Sequence, residues 1–332
     1  HSAGFTRDRG KHSFGYLVND VAKRWVNDFA RDDDPYFLYV HYPDTHHPYY
    51  PPLPYQDLFA DDLPMSGAEA AEVALEVSEN LFDYIADGCA LSDRQRAALE
   101  ATYDAQIRYS DRLVGELLRH VRRRSDRDTW IVVTSDHGEL LGERGLLAHR
   151  LVLDSRLTRV PMVVAGDVPG VSADAGPDSA ARPGGEADLV QHADVMETLL
   201  SAVGADISQF QGVDLAEARR EFAFAQRGGE RADGLTRELA ARNDAFDPSQ
   251  FPAGDATSVT DGAFRYVAGD DGAALYRLPA ETAVGLDHPA VDRLAPAHRE
   301  FVDGKALPVT DERVKGELDA GMKRHLEDLG YM

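Results

Sequence analysis

The sequence predicts an α/β fold: a mainly parallel sheet sandwiched by helices, with a smaller antiparallel-sheet subdomain at the C-terminal end. Three observations predict it. Apolar, strand-like runs alternate with long amphipathic helical patterns over the first two thirds of the chain, the pattern of a sheet covered on both faces. After about residue 216 the texture changes to short alternating runs separated by turn residues. The 332 residues, 43% of them hydrophobic, are enough to bury a large core. The expected division is a core over residues 1–215 and a subdomain over 216–332.

The elements follow in order. Phe14, Leu17, Val18, Val21, Ala22, Trp25, Val26 and Phe29 recur at three- and four-residue spacing, so residues 14–29 read as an amphipathic helix with Ser13 as its cap. PYFLYVHY, residues 35–42, reads as a strand that runs into Pro43-Asp44-Thr45-His46-His47-Pro48 and then the proline-rich YYPPLPY. Ser92 to Arg124 is the longest helical pattern: Ser92 and Gln95 form a capping box, and Leu99, Tyr103, Ile107, Leu113, Leu117 and Val121 form its inner stripe. Arg122–Arg124 suit the negative end of the helix dipole. Strands are expected at 129–135 and 160–165, a mobile Gly/Pro/Ala loop at 172–188 and a helix at 193–203. Short strands are expected at 221–225, 263–267 and 274–278, the last two joined through a GDDG turn, and the chain is expected to end in a helix from Asp311. There are no internal repeats.

Composition excludes some functions. A net charge of -23 argues against nucleic acid as a partner, because phosphate backbones are bound by Lys and Arg. The acid excess is dispersed and only five of the 35 basic residues are lysines, a balance similar to that of proteins from salt-accumulating halophiles. No stretch is apolar and long enough to span a bilayer. The single cysteine, Cys89, permits neither an intrachain disulfide nor a thiolate metal cage. No signal peptide is visible, and the sequence opens on His1 amid polar residues, as expected of a chain that starts part-way through a domain.

The chemistry gathers at two strand ends. In a parallel sheet all strand C-termini lie on one edge, where ligands bind. The strand ending at residue 42 leads to His46 and His47; the strand ending at Ser135 leads to Asp136-His137-Gly138. Carboxylate oxygen and imidazole nitrogen are metal donors, and glycine allows a sharp turn or a close approach. Each piece also has a plain structural reading: Asp-His-Gly as a turn, His46-His47 as surface residues, His149 as a solvated histidine. A Ser135-Asp136-His137 triad is disfavoured, since neighbours on an extended chain point to opposite faces.

TSDHGELLGERGLLAH (134–149) resembles the second metal-binding motif of the sulfatases, within the alkaline phosphatase-like superfamily, and FLYVHYPDTHHPYYPP resembles that family's strand-to-loop segment. YDAQIRYSDRLVGELL, RLTRVPMVVAG, QHADVMETLLSAVG, FQGVDL and ALYRLPAETAVGLDHP resemble later family segments in the same order. The resemblance implies that Asp136 and His137 are ligands of a divalent ion, usually calcium, and that His46 and His149 contact the sulfate group of a sulfated small molecule or glycan. His149 stands where the family often has lysine, and Arg144 replaces its usual histidine. The family's nucleophile is a formylglycine made in C/S-x-P-x-R, which this chain lacks; Cys89, in CALSD, does not match and reads as a packing residue. None of Asp32–Asp34, Asp61-Asp62 and Asp270-Asp271 fits the family's Asp-Asp pair. The chain is therefore expected to correspond to the C-terminal portion of a sulfatase, to be inactive alone and to bind calcium weakly. A phosphodiesterase or phosphonate hydrolase of the same superfamily, and a non-catalytic binding protein that keeps the fold, are the alternatives.

Overall fold

A computed structural model describes residues 13–31, 34–168 and 189–304. The loop expected at 172–188 and the helix expected from Asp311 lie outside these residues. Among the described residues no helix is long and apolar enough to cross a membrane.

The first helix, α1 (Gly15–Phe29), packs along the long α4 (Asp93–Arg124). Ser13 does not cap α1 as expected. Phe14 occupies the cap position without a side-chain cap, and the Ser13 hydroxyl instead donates to the buried Asp44 carboxylate. Only part of the expected apolar stripe is buried: Ala22 and Val26 are inside, whereas Leu17, Val21 and Trp25 are exposed. α4 begins as the capping box requires, with Ser92 and Gln95 bonding reciprocally, and ends on Arg122–Arg124. Leu99, Leu113, Leu117 and Val121 are buried; Ile107 is exposed. Two further helices, α2 (Gly67–Glu79) and α3 (Leu81–Ala86), fill the interval between them, and α2 carries its own Ser66/Glu69 capping box.

Residues 35–42 correct the expectation of a strand. Leu38, Val40 and Tyr42 pack against α1 and α4 while Phe37 and Tyr39 face outward, so the alternation of a strand is present. No ladder forms, because alternation sets side-chain direction but a sheet needs a partner backbone, and none is assigned to this segment. Pairing in the core is also different. Strands β1 (Ile131–Thr134) and β4 (Met162–Ala165) pair antiparallel, Ile131 opposite Ala165, and no parallel pair occurs among the described residues. The intervening chain turns back at the strand end without a crossover helix. It contains the two-stranded hairpin of β2 (Leu140–Leu141) and β3 (Leu147–Ala148), followed by the four-residue α5 (Ser155–Thr158). A parallel return runs through a crossover, usually a full α-helix, and this stretch supplies only the four-residue α5.

After α6 (His192–Ala202), five antiparallel strands form a meander: β5 (Ala223–Arg227), β6 (Ala256–Thr260), β7 (Phe264–Gly269), β8 (Gly272–Arg277) and β9 (Thr282–Val284). Asp270 and Asp271 turn β7 into β8, with Gly269 opposite Gly272, as the GDDG motif predicts. The last helix, α8 (Val291–Gly304), lies on β6 and β7 and buries Leu294 against Val259 and Leu275. The helix between β5 and β6, α7 (Gly229–Arg242), packs instead on α3. Its Ala232, Leu235 and Leu239 join Leu81, Ile85, Leu99, Leu140, Leu146, Leu147 and Leu157 in the largest core cluster. Each such leucine contributes about 1.5–3 kcal/mol through burial. This cluster anchors the β2–β3 hairpin, and the hairpin positions the candidate site.

Candidate functional site

At the end of β1 the chain is drawn tightly against α5. The Gly138 N–H donates to Leu157 O at 2.9 Å, and a Cβ on Gly138 would lie 1.9 Å from the Arg156 carbonyl oxygen. Glycine is required here for close backbone approach. The two residues before it are held locally: the His137 N–H donates to Asp136 Oδ1 at 3.0 Å, and the Ser135 hydroxyl donates to the His137 carbonyl at 2.6 Å. Ser135 is thus bonded to backbone and forms no triad. The Asp136 side chain is half exposed and His137 one-third exposed, with Nε2 of His137 3.7 Å from Asp136 Oδ2.

The hairpin returns the chain to this point. Gly142, at φ 120°, allows the turn, and its N–H donates to Leu146 O at 2.9 Å. Leu140 pairs with Ala148 and Leu141 with Leu147. The same register carried one pair outward sets Glu139 opposite His149. There Glu139 Oε1 lies 3.2 Å from His149 Nδ1, with the Glu139 side chain only 3% exposed. The His149 ring stacks on His137 with centroids 3.9 Å apart. Two non-glycine residues flanking it, Ala148 and Leu151, adopt positive φ of 62° and 70°, the kind of strained backbone that persists only where surrounding contacts hold it. One such contact is the Arg227 guanidinium, which donates to the Leu151 carbonyl.

The loop after residue 42 supplies the third arm. The His46 N–H donates to Pro43 O, and Gln106 on α4 donates to Pro48 O. The His46 ring lies 5.2 Å from His149 and 4.2 Å from His47, and its Nδ1–H donates to the His47 carbonyl at 2.7 Å. Burial lowers the His46 pKa below the ordinary imidazole value. Burial, helped by the charges of His46, His149 and Arg150, pushes His47 down to about 3, and its buried Nε2 has no hydrogen-bond partner. Tyr49, buried beside Glu139, is raised well above the usual phenol range by burial and by that carboxylate.

His46, His137 and His149, with Asp136 beside them, therefore meet from three stretches of sequence. A cavity of about 1970 Å³ opens on Asp136, His137 and His149 and continues past Arg150, Arg227 and His192; His46 is not part of its wall. Among the described residues, no three His, Cys, Asp or Glu side chains are arranged to hold a metal ion. Asp136 and His137 offer one carboxylate and one imidazole, short of the six to eight oxygens calcium takes, so the residues present do not make a complete calcium site.

The other open positions have structural answers. Arg144, at φ 59°, reaches from the hairpin tip to the buried Asp154 (3.6 Å) and donates to the Tyr276 hydroxyl (3.4 Å), tying the hairpin to β8. Cys89 is buried in the main core, as expected of a packing residue, and burial raises its thiol to about 11.

A model of the Sulfatase family matches residues 6–205. The chain belongs to the sulfatase family. It is 27% identical over 224 residues to a choline-sulfatase of Rhizobium meliloti, a stretch covering 62% of this chain and 40% of that protein. It is 22% identical over 152 residues to YidJ, an uncharacterised sulfatase of Escherichia coli, covering 46% of this chain and 31% of that protein. A crystal structure of a Bacteroides fragilis protein described as a sulfatase, yidJ, superposes with a TM-score of 0.54 at 17% identity, covering 95% of this chain and 59% of the other. That likeness shows the shared α/β sulfatase fold. The chain thus spans about a third of the length of the two curated relatives.

Two site features carry little signal in the sequence. Glu139 was legible as the partner of His149 only through the hairpin register, for which Gly142 and Gly145 were the available signal. Tyr49 stood inside the proline-rich segment with no pattern to mark it as buried.

Proposed function

We propose that this chain carries the sulfate-facing part of a site that hydrolyses sulfate esters, acting on a sulfated small molecule or glycan. One observation carries the reading: the imidazoles of His46, His137 and His149 converge beside Asp136 in a sulfatase-family chain. Each imidazole has Nδ1 turned to an acceptor. His46 donates to the His47 carbonyl, His137 to the Gly138 carbonyl at 2.8 Å, and His149 faces the Glu139 carboxylate. Nε2 is therefore the nitrogen each can offer a ligand.

The sulfate group of an ester presents only acceptor oxygens, so an Nε2 can bond it only when protonated. His46, depressed by burial, carries that proton only below the ordinary imidazole range. Protonated, it can donate to a sulfate oxygen or to the oxygen of the departing alcohol, where charge develops as the S–O bond breaks. His149 meets the same group from the hairpin, in the place where the family often has lysine. Asp136 and His137 would supply two ligands of a divalent ion, calcium by family resemblance, which when bound polarises a sulfate oxygen. The described residues do not complete that ion's shell.

The chain contains no C/S-x-P-x-R, so it is expected not to turn over an aryl sulfate alone. The test is titration of inorganic sulfate into the ¹⁵N-labelled chain while following the imidazole resonances. His46 and His149 are expected to shift, with affinity rising as pH falls below the ordinary imidazole range and His46 gains its proton. Resonances that stay fixed at every pH would overturn the reading. Turnover of nitrophenyl sulfate would show that the chain holds a nucleophile of its own.

A further inference from the structure

We propose that Glu139 is a positioning residue: it accepts the Nδ1 proton of His149 and so fixes the ring with Nε2 toward the site. The inference rests on the proposed role of His149 for its meaning, and on geometry independent of that role for its support. The hairpin register makes Glu139 and His149 a cross-strand pair at the open end of β2–β3, where opposed side chains lie within contact distance. Glu139 Oε1 is 3.2 Å from His149 Nδ1, and the carboxylate side chain is 3% exposed.

A carboxylate that deep needs a donor to replace the water it has lost. Besides His149, the buried Tyr49 phenol faces it, and Tyr103 and His46 lie near enough to feel its charge. His149 cannot turn freely to find another acceptor. Its ring is stacked on His137 at an interplanar angle of 27°, and its backbone lies between the positive-φ residues Ala148 and Leu151. Flipping the ring would break the stack or turn Nδ1 away from the Glu139 carboxylate, leaving Tyr49 as its buried neighbour. The second, glycine-bounded turn of TSDHGELLGERGLLAH thus has a specific consequence. Folding back over Gly142 presents His149 to His137 and supplies, from the strand opposite, the group that sets its tautomer.

The tautomer is read directly by long-range ¹H–¹⁵N correlation of the imidazole nitrogens at about pH 9, where an ordinary imidazole is neutral, with His149 assigned by comparison with H149Q. In the unsubstituted chain His149 is expected as the Nδ1–H form. E139A is expected to shift it to the Nε2–H form that free histidine prefers, and E139Q, which retains an acceptor oxygen, to keep the Nδ1–H form. A purely structural role for Glu139 would leave the tautomer unmoved in all three. An Nε2–H form in the unsubstituted chain overturns the proposal whether or not E139A folds, as does an Nδ1–H form that survives in E139A. A failed sulfate titration would refute the functional reading while leaving this measurement unaffected.

Discussion

His47 should impose a measurable acid sensitivity on folding. Its imidazole is buried among His46, His149 and Arg150, its Nε2 has no partner, and its pKa is pushed from 6.5 to about 3. The unfolded chain protonates this residue near its ordinary value, whereas the folded chain refuses the proton until about 3. The stabilisation is thus complete above pH 6.5 and is lost progressively as pH falls toward 3. At about 1.4 kcal/mol per unit the whole shift amounts to about 5 kcal/mol, of which about 3 kcal/mol falls between pH 7 and pH 4. H47F keeps the ring and removes both the titration and the unsatisfied nitrogen. Urea unfolding of both proteins at a series of pH values measures the difference. The unsubstituted chain should lose about 3 kcal/mol more than H47F between pH 7 and pH 4, and at pH 7 H47F should be no less stable, since an orphaned buried polar atom is itself costly. Parallel profiles would refute the reasoning, and comparison with H47F cancels the separate acid responses of His46 and Asp44.

Three further outcomes are expected. Gly138→Ala sets a Cβ against the Arg156 carbonyl and should cost roughly 1–3 kcal/mol in urea unfolding; an unchanged midpoint would contradict the close approach at the end of β1. Cys89, raised to about 11 by burial, should react with iodoacetamide at pH 8 only under denaturing conditions, and rapid alkylation of the folded chain would place the thiol outside the core. Calcium should bind weakly, because Asp136 and His137 provide only part of a coordination shell; tight, stoichiometric binding by calorimetry would require ligands beyond these two.

Much of the local architecture was legible. The capping box fixed the start of α4 at Asp93, and GDDG fixed the β7–β8 turn, because both depend on hydrogen bonds between residues a few positions apart. β6, ATSVT, is not legible in the sequence: its small residues are buried between neighbouring strands and carry no strong apolar alternation. Nor is α7 marked by the sequence pattern, although its Leu235 and Leu239 enter the main core. α1 was placed correctly, but its buried face was not. Leu17, Val21 and Trp25 have the right spacing for burial and remain exposed, since spacing says which residues share a face and not which face is covered.

The sequence by itself carried the sulfatase-type motif, whose resemblance implies His46, Asp136, His137 and His149 as site residues, together with the acidic charge balance and no C/S-x-P-x-R. It also contained the register that opposes Glu139 to His149, since a hairpin joins positions only ten apart. Tertiary structure decided the rest. It brought His46 to 5.2 Å from His149 across about a hundred residues, gave Arg144 to Asp154 and Tyr276, and sent Ser13 to Asp44. It also enclosed the His47 Nε2 away from any hydrogen-bond partner. The division has a physical basis. Capping and turn bonds are satisfied within a few residues and can be read in one dimension. Burial, desolvation and the meeting of distant side chains depend on which surfaces the core excludes from water.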